Sequence, residues 1–312
     1  MPATLLTRSV AEAAAVLRRG GTVAFPTETV YGLGASALDA DAVAAVFRAK
    51  GRPADNPLIV HVAAAADVER VAVVTRLGAR LLAAFAPGPV SLVLPARGGL
   101  PPAVTAGLDT VAVRVPGHPT ARALLRAAGV PVVAPSANRS GRPSPTAWEA
   151  VCDDLDGRVD AILQGEPTRV GLESTVIDAT GVSAVVLRPG AVSLEAVRDV
   201  DPAATLLVPG SSEAPARSPG LRHRHYAPSA RVRLVGAGDD PAADAAYIGL
   251  DAPAPGYAAA VVCPDVEAYG REVFAFFRRA DAAGLRRIDA QAVPETGLGR
   301  ALMDRLRRAA EA

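Results

Sequence analysis

The chain has 312 residues, half of them apolar, with 28 glycines, 27 prolines and a formal charge of +1. At about 150 residues per domain this length predicts two domains, each long enough to bury a core. The near-zero charge excludes a polybasic nucleic-acid coat, and two cysteines, Cys152 and Cys263, exclude a disulfide scaffold or a zinc ribbon.

In chain order, Ser9 and Glu12 form an S-x-x-E start signal for an alanine-rich helix that stops at Gly20-Gly21. Thr22 to Phe25 reads as a buried strand, and Asp39 to Ala49 as a helix with Val43, Val46 and Phe47 on one face. Leu58 to Val62 is strand-like and Thr75 to Phe85 helical. Val90 to Leu94 and Thr110 to Val115 are strands. Pro119 to Ala128 is a helix with proline at its start and Gly129 after its end. Val132-Val133 is a short strand, Thr146 to Asp154 a helix, and Ser174 to Asp178 and Ala184 to Leu187 are strands. This mixture predicts an α/β domain over residues 1–200. Residues 201–230, rich in Pro, Ser and Arg, read as a linker. Over 231–312 the pattern restarts. Strands are expected at Val232 to Val235, Tyr247 to Leu250, Ala259 to Cys263 and Arg287 to Ala290, with helices at Val266 to Ala280 and Gly299 to Ala310. A small Rossmann-like α/β domain fits.

The stretch from Leu81 to Ala96 is free of charge but broken by Pro87, Gly88, Pro89 and Pro95, and is too short to span a bilayer. The N-terminus lacks a basic segment followed by an apolar one. The expectation is a soluble, reduced, cytoplasmic protein with no membrane partner.

The motifs narrow the chemistry. Lys50, the only lysine, is followed by Gly51, so there is no Walker A loop. Gly32 to Ala37 formally fits G-x-G-x-x-A, but Pro26 to Tyr31 separate it from the preceding strand, which disfavours a dinucleotide loop. His61, His118, His223 and His225 are scattered, without a metal-binding spacing. Three loops carry polar side chains directly after apolar runs. PTETVYGLG (26–34) crowds Thr27, Glu28, Thr29 and Tyr31 at a strand end. KGRPADNPLIVHV (50–62) carries Lys50, Arg52, Asn56 and His61. VAPSANRSGRPSPT (133–146) carries Ser136, Asn138, Ser140, Ser144 and Thr146, and can offer N–H groups and hydroxyls to a phosphate. Arg114 sits in an apolar strand and needs an anion, either a ligand or a structural partner such as Glu28 or Glu173. With Ser174, Thr175 and Arg188, these residues describe a cleft rich in cations and hydroxyls, poor in acids and without a covalent nucleophile. Guanidinium forks suit phosphate and carboxylate. The residues alone lead as far as an anion-binding α/β domain.

At these motifs the first 200 residues or so closely resemble the YrdC-like domain of threonylcarbamoyl-AMP synthases. The matching segments are PTETVYGLG, KGRPADNPLIVHV, PGPVSLVLP, VAVRVPGHP, APSANRSGRPSPT, STVID and LRPG. SPGLRHRHYAP (218–228) resembles the linker of the two-domain form. The resemblance implies a twisted mixed α/β sheet around a large cleft, followed by a smaller Rossmann-like domain. It implies conversion of L-threonine, bicarbonate and ATP into threonylcarbamoyl-AMP and pyrophosphate. A partner transferase complex then passes the group to the adenosine next to the anticodon in tRNA.

The family signature is intact as Lys50, Arg52, Ser136 and Asn138, which the resemblance marks as catalytic. It places ATP near Arg52, Asn56, Thr110, Ser136, Ser144, Arg188 and Tyr226, and threonine near Thr29, His61, Arg114, Ala134 and Ser174. Mg2+ is expected to arrive with ATP, held by phosphate oxygens and water, with no protein metal site. Arg217, Arg222, His223, Arg224, His225 and Tyr226 are expected to close over ATP as a lid. Rival readings are direct binding of double-stranded RNA or tRNA by a local basic face, the related carbamoyl-transfer domain of hydrogenase maturation, and a nicotinamide site in the last domain. Weak tRNA contact is also compatible with the main reading.

Overall fold

The computed structural model describes residues 3–53, 56–207, 226–236 and 240–311. Within them, the first part of the chain builds an eleven-stranded mixed sheet. From edge to edge it runs β1 (Leu5–Thr7), β8 (Ala161–Leu163), β2 (Val23–Phe25), β3 (Gly32–Ser36), β7 (Val132–Val133), β4 (Ile59–His61), β6 (Thr110–Arg114), β5 (Val90–Pro95), β9 (Thr175–Asp178), β10 (Val185–Arg188) and β11 (Thr205–Leu206). Parallel pairs β1–β8–β2, β4–β6, β5–β9 and β10–β11 alternate with antiparallel ones.

Helices α1 (Val10–Arg18), α2 (Ala40–Lys50), α3 (Arg76–Phe85), α4 (Pro102–Thr105), α5 (Pro119–Ala128), α6 (Trp148–Leu155) and α7 (Leu194–Val200) cover this sheet. Strand alternation assigns the faces. Val23, Phe25 and Val132 pack with Leu17 of α1 and Leu124 of α5. Ala24, Val60, Val113 and Val133 join the main core with Val43 and Val46 of α2 and Leu81 of α3. His61, Arg114 and Ser91 alternate with those main-core residues, so they face the other side. The register sets them abreast, His61 opposite Arg114 and Arg114 opposite Ser91. A smaller apolar cluster of Ile59, Val93, Ala112, Val176 and Leu187 shares that side. A polar row thus crosses the middle strands.

Local chemistry explains several helix ends. Ser9 caps α1 by accepting the Glu12 N–H, but the Glu12 carboxylate does not return to Ser9. It accepts the Thr7 hydroxyl, whose oxygen takes the Ser9 N–H, so the reciprocal bond is relayed through Thr7. Asp39 caps α2, and Gly51 ends it at φ +61°, a left-handed turn that releases the chain directly after Lys50.

The second unit is a parallel four-stranded sheet in the order β12 (Arg231–Val235), β15 (Arg287–Gln291), β13 (Ala245–Gly249) and β14 (Ala259–Val262). Helices α8 (Val266–Ala282) and α9 (Leu298–Ala310) pack on it, as expected of a Rossmann-like domain. Its core also takes in Val30, Leu172 and Tyr226 from outside the small domain. Gly171 shows how close the two units come. Its φ is +80°, and a Cβ there would stand 2.4 Å from the Arg271 Cα of α8.

Strands β1, β3, β8 and β11 and helices α4 and α7 depart from the sequence expectation. Gly32 to Ser36, whose first three residues the sequence reading places in the 26–34 loop, is strand β3, buried along its whole length between β2 and β7. It forms no phosphate loop. Strands β1 and β8 pair at the sheet edge, although neither carries a local strand signal. Strand β11 lies past residue 200, so the large sheet runs slightly into the segment read as linker. Arg217, Arg222, His223, Arg224 and His225 lie outside the described residues; Tyr226 lies inside them.

Candidate active site

The polar row opens into a cleft of about 720 Å³, measured out to its mouth. It is lined by Thr29, Lys50, Arg52, His61, Arg114, Ala134, Ser136, Asn138, Ser174, Arg188 and Tyr226, together with Thr27, Val30, Tyr31, Gly32, Pro57, Leu58, Ile59, Pro135, Ser140 and Glu173. Residues spread over two hundred positions therefore share one cleft.

Lys50 comes from the last turn of α2 and is buried. Its Nζ donates to the backbone oxygens of Ser136 (2.5 Å) and Asn138 (2.6 Å). Burial lowers its pKa well below the ordinary lysine value, helped by neighbouring Arg52 and opposed by Asp154. A bound polyanion would reverse that bias. The loop it grips is also tied elsewhere. Ala137 N–H donates to Tyr31 O, Ser140 N–H to Lys50 O, Arg142 N–H to Arg139 O and Arg139 N–H to Asp154 Oδ2. These four N–H groups are engaged within the protein and are not offered to a ligand. The loop presents side chains, among them Ser136 and Asn138. The Asn138 Nδ2 is held by the Arg139 and Arg142 carbonyls, while its buried Oδ1 has no protein donor. Arg52 reaches back to the Asn56 and Pro57 carbonyls.

Arg114, 5% exposed, lies at the end of β6. Its Nη2 is 2.8 Å from Glu28 Oε1, its Nη1 donates to Thr29 Oγ1 at 2.9 Å and its Nε to Gly88 O. Of the two structural partners considered from sequence, Glu28 is the one it meets. Burial would raise the Glu28 pKa, but Arg114 and the Gly117 N–H overcome it and bring it down to about 2. Beside Arg114, His61 is buried, and its Nδ1 lies 3.2 Å from Ile59 O. A carbonyl can only accept, so Nδ1 carries the proton and Nε2 the lone pair. Burial, with Arg114 adding to it, depresses the imidazole pKa to about 3. His61 is therefore a neutral acceptor in the cleft.

The opposite wall is Glu173, Ser174, Arg188 and Tyr226. Ser174 Oγ is 2.8 Å from Ser91 Oγ, and Arg188 donates through Nε and Nη2 to Ser174 O. Glu173 accepts from Ser144 Oγ at 2.6 Å and from Arg305 Nε at 2.8 Å. Burial raises its pKa, yet Arg305 and Arg188 outweigh that and leave it lowered.

Three expected site residues do not line the cleft. Ser144 stands behind Glu173, and Asn56 meets Arg52 through its backbone oxygen. Thr110 opens β6, four residues from Arg114 and about 13 Å away by strand rise. Sequence reasoning overlooked Ser91 and Arg305. Ser91 has no motif around it that points to chemistry. Arg305 was legible: Ala301, Leu302, Arg305, Leu306 and Ala309 form one buried helix stripe, and a cation in such a stripe requires a buried anion.

Comparison with known proteins places this geometry in a family. Residues 15–190 match the Sua5, YciO and YrdC family, described as "Telomere recombination", and residues 191–311 match the threonylcarbamoyl-AMP synthase C-terminal domain. A threonylcarbamoyl-AMP synthase of Pyrococcus abyssi is 42% identical over 95% of this chain and 92% of its own length. One of Bacillus subtilis is 40% identical over 96% and 92%. The crystal structure of P. abyssi Sua5 complexed with L-threonine superposes with a TM-score of 0.91 at 41% identity, covering 99% of this chain and 97% of that one. With matches that run through both units, the chain belongs to the Sua5, YciO and YrdC family, in the two-domain form that carries the threonylcarbamoyl-AMP synthase C-terminal domain.

Proposed function

We propose that the protein is an L-threonylcarbamoyladenylate synthase, joining L-threonine, bicarbonate and ATP with release of pyrophosphate. The observation that carries this reading is the charge pattern of one cleft. Lys50, Arg52, Arg114 and Arg188 line it, the carboxylate that lines it, Glu173, is paired with Arg305, and Glu28, outside the lining, is paired with Arg114. Such a cleft suits a polyanion together with a carboxylate.

In the proposed layout Arg114 takes the threonine carboxylate, while Thr29, Ser174 and the His61 Nε2 lone pair meet its amine and hydroxyl. Ala134, Val30 and Ile59 supply apolar surface for the methyl group. One methyl is worth only about 1–3 kcal/mol in such a niche, so serine is expected as a poorer substrate rather than an excluded one. ATP lies toward Lys50, Arg52, Ser136, Asn138, Arg188 and Tyr226, with Asn56, Thr110 and Ser144 in supporting positions.

Bicarbonate loses water to give CO2, taking up one proton, and the neutral threonine amine adds to CO2 to form a carbamate, releasing one proton. The carbamate oxygen attacks the α-phosphorus, a new P–O bond forms, and pyrophosphate leaves with the electrons of the broken one. The chain contributes position and charge: Arg114 anchors one reactant, and Lys50, Arg52 and Arg188 offset negative charge on the other. No protein nucleophile is needed.

Among the described residues no group of three His, Cys, Asp or Glu side chains is placed to hold a metal. Mg2+ would arrive on the phosphates of ATP, where it would neutralise charge. The acyl-adenylate product calls for a downstream transferase complex that passes the threonylcarbamoyl group to tRNA, and we place both in the cytoplasm, with at most weak tRNA contact by this chain. Among the described residues no helix is long and apolar enough to cross a membrane.

The test is a reaction with ATP, threonine and labelled bicarbonate followed by mass spectrometry. Pyrophosphate release should require threonine and bicarbonate together, and the product should carry both the label and AMP. Release without either reactant would refute the proposal.

A further inference from the structure

The wall formed by Glu173, Ser174, Arg188 and Tyr226 is backed by the small domain. Leu172, next to Glu173, and Val30, next to Thr29, are buried in the small domain's core. Val170 N–H and Gly171 N–H donate to the carbonyls of Glu28 and Thr29, so the segment before Glu173 is zipped onto the PTETV loop. Tyr226 has φ +66°, stacks on Phe274 of α8 with centroids 5.6 Å apart, and lies under the Arg305 guanidinium of α9 at 5.2 Å. Arg305 is fully buried. Its Nε donates to Glu173 Oε2, its Nη2 to Pro189 O at 3.0 Å and its Nη1 to Asp304 Oδ2 at 2.5 Å. One side chain of the second domain thus touches three parts of the wall: Glu173, the residue after Arg188, and the face of Tyr226. It does not line the cleft itself.

We propose that Arg305 is a positioning residue through which the C-terminal domain sets the nucleotide side of the cleft, by holding the Glu173 carboxylate, the Pro189 carbonyl and the Tyr226 ring in one arrangement. This rests on the placement of ATP toward Arg188 and Tyr226 given above. The physical argument is that a fully buried guanidinium keeps a place only where its donors are satisfied, so its three partners are fixed relative to one another. Glu173 in turn orients Ser144, and Pro189 follows Arg188. On the threonine side, Thr29, His61, Arg114 and Ala134 make no hydrogen bond to Arg305, and Ser174 meets it only through Glu173 and Arg188, so ATP should respond more than threonine.

The experiment uses the full chain with Arg305→Met, Arg305→Lys and Glu173→Gln. Pyrophosphate release is measured with ATP and threonine varied separately, and ATP affinity is measured directly by calorimetry. For Arg305→Met the expected result is an ATP KM and Kd raised at least tenfold, with the threonine KM within twofold of wild type. Arg305→Lys keeps charge but not the fork or the stacking surface, and should fall between. A merely structural role would lower the active fraction and leave both KM values alone; that result, or an unchanged ATP Kd, would overturn the proposal. Should Arg305→Met fail to fold, Glu173→Gln decides. It keeps an acceptor for Ser144 and removes the anion, and it should also weaken ATP more than threonine; equal effects on both would refute the inference. The direct ATP measurement separates this from the assigned reaction. Wild type that binds ATP, loses it on Arg305→Met, and yet releases no threonine-dependent pyrophosphate would sustain the positioning role and sink the reaction.

Discussion

Glu28→Gln isolates what Arg114 needs in the absence of ligand. The amide keeps an oxygen for the Gly117 N–H but removes the negative charge 2.8 Å from a guanidinium that is 5% exposed. Two routes give the magnitude. The Glu28 pKa falls from 4.5 to about 2 in the folded protein, and at about 1.4 kcal/mol per unit that is on the order of 3 kcal/mol. Removing one partner of a buried pair costs about 3–5 kcal/mol by general experience. The sign follows from the depressed folded value. The stabilisation is fully present above the unfolded value of 4.5 and is lost as pH falls toward about 2. Urea denaturation of both proteins should therefore show a gap of about 3 kcal/mol at pH 7, shrinking to about 1.5 kcal/mol at pH 3. Threonine supplies a replacement carboxylate, so saturating threonine should stabilise the variant more than wild type. A gap below about 0.5 kcal/mol at pH 7, or one that does not change with pH, would refute the reasoning that Arg114 depends on this charge.

Further outcomes follow from the buried Lys50 and the His61 imidazole. Lys50→Met should cut turnover by about a hundredfold, since two hydrogen bonds of roughly 0.5–1.5 kcal/mol each hold the Ser136–Asn138 loop and the ammonium restored by ATP is lost. In wild type, ATP binding should take up protons at pH values between the lowered Lys50 pKa and its ordinary 10.5, because the phosphates restore the depressed value. Calorimetry in buffers of different ionisation heat should show that uptake reduced in the variant, and equal uptake would contradict the assignment. His61 should show no imidazole titration by NMR between pH 8 and 5, as its pKa lies at about 3. Since the unfolded chain binds this proton near 6.5, His61 adds a loss of stability of up to about 1.4 kcal/mol per pH unit as pH falls below that value. His61→Gln should flatten the dependence, and parallel melting curves against pH would refute it.

The sequence by itself determined the elements whose signals are local. Ser9, Asp39 and Thr75 cap helices, and Pro119 with Gly129 bounds one, because a cap needs only neighbours a few residues away. It also marked the motif loops whose polar residues gather in the cleft, since polar side chains at the ends of apolar strands have few other uses. The tertiary structure alone decided the rest. Gly32 to Ser36 is a strand because β2 and β7 pair with it, and no propensity of its own residues requires that. The partner of Arg114 could be chosen only once the sheet register brought the β6 end beside the PTETV loop. The position of Arg305 depends on how two domains dock, and the bonds that fix it join residues 132 and 116 positions apart. Short-range chemistry is written along the chain; which buried charge meets which is settled by packing.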